Sequence, residues 1–76
     1  MEPVLRQSNP EAWIEAIFAA QAVAKGGVVR RARAWVAREI GLARFEAEVR
    51  RRGFHLVACG GQLIVICNQG GMRVIC

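Results

Sequence analysis

Aspartate, threonine and tyrosine are missing from the chain, and serine and histidine occur once each, as Ser8 and His55. A nucleophile, a base and a group to orient that base have almost no residues to come from. The expectation is a protein that is not an enzyme. No glycine-rich phosphate loop fits either, because KGGVVRR lacks both the spacing and the Lys-Ser/Thr ending. No stretch approaches the ~18 consecutive apolar residues of a membrane span. The longest candidate, AIFAAQAVA at 16–24, is short and holds Gln21. The start, MEPVLRQSNP, has neither the basic nor the apolar region of a signal peptide. A cytoplasmic protein with no membrane partner is expected.

Cysteine is scarce and odd in number: Cys59, Cys67 and Cys76, each inside an apolar run. A secreted disulfide framework uses an even count among polar loops, so reduced, buried thiols are expected. There is no Cys-x-x-Cys or His-x-x-x-His pair. His55 and Cys59 are four residues apart on one strand, roughly 13 Å at the usual rise. No metal site is expected, and nothing implies a cofactor.

What the chain does have is apolar content and arginine. At 76 residues and 54% apolar it makes one domain, with residues 1–8 as a flexible arm and 9–76 as the folded unit. A domain this small buries only about 60% of its unfolded surface, and a second copy of itself is an expected partner. The net charge of +5 is unevenly spread. Residues 28–53 hold eight arginines against three glutamates, whereas the flanking thirds nearly balance. Such clustering points to a polyanionic partner.

The elements read as α+β: three helices followed by a three-stranded antiparallel β-meander, with the helices on one face of the sheet. Ser8 or Asn9 caps the first helix, Pro10 suits its first turn, and Gly26-Gly27 ends it. Val28 and Val29 fit either a short strand or the start of the next helix, which keeps its spacing from Ala32 to Ile40 and stops at Gly41. LARFEAEVRRRG forms the third helix. FHLVAC and QLIVICN flank Gly60-Gly61 as a hairpin, and MRVIC supplies the last strand.

The two-residue turn fixes the hairpin register and pairs Cys59 with Gln62, Ala58 with Leu63 and Leu56 with Val65. One face then carries Phe54, Leu56, Ala58, Leu63, Val65 and Cys67, joined by Met72, Val74 and Cys76. The other carries Val57, Ile64, Ile66 and Ile75, an apolar patch of the kind that marks an interface.

In the third helix, Arg44 and Glu48, Glu46 and Arg50, and Glu48 and Arg52 are each four apart, the spacing of helical ion pairs. Arg44 and Arg51 remain as outward candidates. Arg30, Arg31 and Arg33 have no acidic residue within that reach and form the more credible anion site. Arg38 completes the secondary set.

Two resemblances follow. EVRRRGFHLVACGGQLIVI looks like the helix and first hairpin of small RNA-cleaving toxins of the HicA type. In that family a histidine just after the turn glycine carries the catalysis; here Gln62 takes the place, which implies an RNA-binding shape without the cutting group. AWVAREIGLARFEAEVRRRG followed by a hairpin resembles a winged helix-turn-helix domain over residues 33–68, with Ala37 and Gly41 in its small-residue places. That likeness implies DNA binding through residues 42–53, with Arg44 and Arg51 facing outward, although Ala47 and Arg50 stand where larger apolar residues are usual.

The expected function is a small basic nucleic-acid-binding protein, DNA or RNA, suited to a regulatory role. Arg30, Arg31 and Arg33 would be the main phosphate contacts, with Arg38, Arg44 and Arg51 secondary. The alternatives are an interaction module docking through Val57, Ile64, Ile66 and Ile75, and a toxin-like RNA-cleaving protein.

Overall fold

The computed structural model describes residues 9–76, so Ser8 and the expected arm at 1–8 lie outside the described residues. Helix α1 (Pro10–Phe18) starts where the Asn9 side chain accepts the Ala12 N–H at 3.2 Å, with Pro10 in the first turn. Helix α2 (Gln21–Ala24) follows. It was expected to be the end of a single first helix. Ala20 instead takes an extended conformation (φ −62°, ψ 149°) and breaks it. Alanine's helix preference is a weak bias, and tertiary packing overrides it. Gly26, at φ 74°, then closes α2.

Strand β1 (Val28–Ala32), helix α3 (Arg33–Glu39), helix α4 (Leu42–Arg51), strand β2 (His55–Cys59) and strand β3 (Gln62–Ile66) complete the order. Helix α4 ends in a double reverse bond: the Phe54 N–H reaches the Val49 carbonyl at 3.1 Å and the Gly53 N–H reaches that of Arg50 at 3.0 Å. Gly53 sits between them at φ 75°, which a side chain would oppose.

Among the described residues the fold is α+β with a three-stranded antiparallel sheet, but four helices are formed, and the sheet order is β1-β3-β2. The sheet is therefore not a meander. The hairpin register is as expected, with Cys59 opposite Gln62, Ala58 opposite Leu63 and Leu56 opposite Val65. The third strand is VVRRA, whose Val29 lies opposite Val65. MRVIC forms no strand. Met72, Val74 and Cys76 do not join the inner face, nor Ile75 the outer one; all four are exposed. Of the three thiols, Cys67 is buried, while Cys59 and Cys76 are exposed.

The core joins sheet to helices. Val29, Leu63, Val65 and Cys67 pack in one cluster with Ile14, Ile17, Phe18, Val36, Ile40, Phe45 and Val49. Phe45 is fully buried, and its ring lies 6.1 Å from that of Phe18. Trp13 meets Trp35 edge-on at 5.0 Å and ties α1 to α3.

Amide exchange tests this sheet. The N–H groups of Val29 and Arg31 are expected to exchange slowly and those of Arg30 and Ala32 fast, because alternate residues of an edge strand face the partner strand. Fast exchange at Val29 and Arg31 would show that β1 is not the third strand.

Candidate nucleic-acid interface

Strand β1 follows the glycine pair that closes α2, and β3 dictates its parity. The Cys67 N–H donates to the Gly27 carbonyl and the Arg33 N–H to the Gly61 carbonyl, both at 2.9 Å. Gly27, Val29, Arg31 and Arg33 thus turn their backbone toward β3, while Val28, Arg30 and Ala32 turn theirs to the free edge.

The arginines follow the same alternation. Arg30 lies opposite Ile64 and shares its face of the sheet. Arg31 lies opposite Leu63 on the other face, and its guanidinium folds back so that Nη1 donates to the Arg30 carbonyl at 2.7 Å. Both line an open groove of about 430 Å³ beside Ala20, Ala22 of α2 and Gln62 of β3. Arg33 opens α3 next to the Gly60-Gly61 turn. The structure brings Arg30 and Arg31 to one groove and leaves Arg33 at the turn end of the strand. Among the described residues, none of the three has a carboxylate within 4 Å.

The secondary arginines are placed differently. Arg38 pairs with Glu39 at 2.9 Å. Arg44 reaches Glu11 of α1 at 2.6 Å and Glu48 at 3.5 Å. Arg51 meets Glu48 at 2.6 Å, and Arg52 meets the same carboxylate at 2.7 Å. The three helical pairs at four-residue spacing all form, Glu46 with Arg50 at 2.5 Å among them. Arg52 also lays its guanidinium 4.3 Å over the Phe18 ring. The contact from Glu11 to Arg44 spans 33 positions and left no local signal.

Glu48 is the hub of this set. Its side chain is only 5% exposed. Hydrogen bonds from Arg51, and then from Arg52, hold its pKa at about 2 against the desolvation that opposes them. Arg44 and Arg51 are each held more firmly protonated, chiefly by their bonds to Glu11 and Glu48 respectively.

The expected interface residues divide. Val57 lies opposite Ile64, with Ile66 two positions along β3, and all three are half-buried. Val28, opposite Ile66, extends this face and is 52% exposed. Its membership depended on recognising β1 as a strand. Ile75 lies outside the sheet.

Cys67 and His55 are held by the fold. Burial pushes the Cys67 thiol pKa up, with Arg52 pulling the other way, so thiolate chemistry there is disfavoured. His55 Nε2 lies 2.6 Å from the Gly70 carbonyl. Among the described residues, no group of three or more His, Cys, Asp or Glu could hold a metal, and no helix is long and apolar enough to cross a membrane.

A carboxyl whose pKa is lower folded than unfolded stabilises the fold above its unfolded value and loses that contribution as pH falls toward the folded one. For Glu48 the window runs from about 4.5 down to about 2. Glu48→Gln is expected to cost about 1.5–3 kcal/mol at pH 7 and to flatten the acid limb of stability over that window. Urea melts from pH 7 to pH 2 check both, and an unchanged limb would show that the hub does not carry acid sensitivity.

No protein-family model, curated protein or solved structure matches the chain.

Proposed function

We propose that the chain is a small nucleic-acid-binding protein that holds phosphates through Arg30, Arg31 and Arg33. The observation that carries this reading is the missing counter-charge: none of the three has a carboxylate partner among the described residues, whereas Arg44, Arg50, Arg51 and Arg52 all do. Guanidinium groups suit phosphate geometry, and three unpaired arginines close together along β1 and the start of α3 suit the dense negative charge of a nucleic-acid backbone.

The α3–α4 pair followed by the β2–β3 hairpin supports a winged helix-turn-helix reading, with the helices taken to lie on the face of Val29, Leu63 and Val65. The exposed flank of α4 offers Ala43, Glu46, Ala47 and Arg50, and Arg50 is bound to Glu46. That flank has little with which to read base edges. The binding is therefore governed by phosphates and indifferent to sequence. Arg38, Arg44 and Arg51 are secondary contacts. For Arg44 and Arg51, a phosphate would have to compete with the carboxylates of Glu11 and Glu48.

Fluorescence anisotropy with labelled duplexes of unrelated sequence tests this. Affinity is expected to fall steeply with salt, with a log–log slope of about 0.9 per phosphate contacted. The Arg30→Gln, Arg31→Gln, Arg33→Gln triple variant should lose roughly three of those contacts. An affinity unchanged in a folded triple variant would overturn the reading.

A further inference from the structure

The side of the molecule away from β1 carries a second surface, independent of the arginine reading. A groove of about 440 Å³ lies between α4 and β2, with an apolar floor from Val49, Phe54, Leu56, Ala58 and Leu63. Strand β2 is an edge strand. Because β3 turns its odd-numbered residues toward β1, Val57 and Cys59 of β2 face β3, and the backbone groups of Leu56 and Ala58 face outward along this groove.

The segment after β3 runs to the same place. Gln69 Nε2 donates to the Arg52 carbonyl at 3.0 Å, His55 Nε2 lies against the Gly70 carbonyl, and Met72 lines the groove. The next apolar residues do not enter it: Val74 and Ile75 are 78% and 80% exposed. One surface thus holds a partly filled apolar groove, a strand edge unpaired among the described residues and, two residues beyond Met72, an exposed β-prone pair.

The geometry points to a second copy of this chain as the occupant, with Val74 of each copy, which shares the parity of Met72, seated in the groove of the other, Ile75 on the opposite face of the extended sheet, and the backbone of the segment pairing with Leu56 and Ala58. Main-chain pairing at a strand edge with side chains in a flanking groove is a recurrent mode of recognition. A surface that carries both the groove and its filler is self-complementary, the condition for a closed two-fold dimer. Charge favours this side over the other. The rim here is Glu46 bound to Arg50 and the entering segment brings a single cation, Arg73, whereas two β1 edges would bring Arg30 and Arg31 of each copy together.

Sedimentation velocity from 1 to 300 µM tests the exchange. The wild-type chain is expected to shift from monomer to dimer, and Val74→Asp with Ile75→Asp to weaken dimerisation at least tenfold. Both residues are in water in the single chain, so circular dichroism should not change. Amides of Leu56 and Ala58 should slow their exchange as the dimer fills. A monomer throughout the range, a dimer indifferent to the two aspartates, or open-ended growth would overturn the proposal. So would dissociation by Ile64→Asp with the segment variant unaffected. Phosphate binding per chain, read with the same labelled duplex, should survive in the Val74, Ile75 variant, which separates this result from the fate of the arginine site.

Discussion

Strand β3 bonds on both sides, and that single constraint decides where the sheet's charged and apolar groups end up. Its odd residues turn their backbone to β1 and its even residues to β2. Side chains alternate with the same period. Val29, Leu63 and Val65 are thereby committed to the core together. Arg30 and Arg31, adjacent in sequence, are sent to opposite faces. Among the described residues both outer edges are left with unpaired backbone, one beside arginine and the other beside an apolar groove.

The charge pattern follows from secondary structure as much as from composition. On a helix, residues three and four apart are neighbours, so Glu46 and Glu48 of α4 between them pair with all four arginines around them. On β1 no such relation exists. The cross-strand neighbours of Arg30 and Arg31 are Ile64 and Leu63, which offer no counter-charge. Among the described residues, Arg30, Arg31 and Arg33 are thus left without a carboxylate partner on β1 and the start of α3. The same arginines discourage edge-to-edge pairing there, and Arg31 occupies the Arg30 carbonyl that a new strand would need. A single placement both exposes positive charge and guards an edge.

Local rules made α3, α4, the hairpin register and the helical ion pairs legible, because each depends on spacings of two to four residues. The start of α1 was legible for the same reason, through Asn9 and Pro10. What spacing cannot convey is which distant segment takes a shared site. Glu11 to Arg44 is one such case; the helix break at Ala20 is another, since nothing in AIFAAQAVA opposes a continuous helix. The candidate arginines of β1 were visible as a group without acidic neighbours. Their division between two faces required knowing that they lie on a strand.

The misplaced strand has a single cause. VVRRA and MRVIC are both short, β-prone, arginine-bearing segments that follow a glycine pair, and only one of them can pair with the side of β3 that β2 leaves open. β1 is held at both ends by helices that pack on the core, α2 before it and α3 after it, so its pairing closes the core and fixes both helices at once. Pairing MRVIC there instead would fix neither α2 nor α3. The competition is therefore won by the segment whose placement orders more of the chain. Its loser keeps Val74 and Ile75 in water, just beyond Met72 at a groove whose two charges, Glu46 and Arg50, are paired with each other.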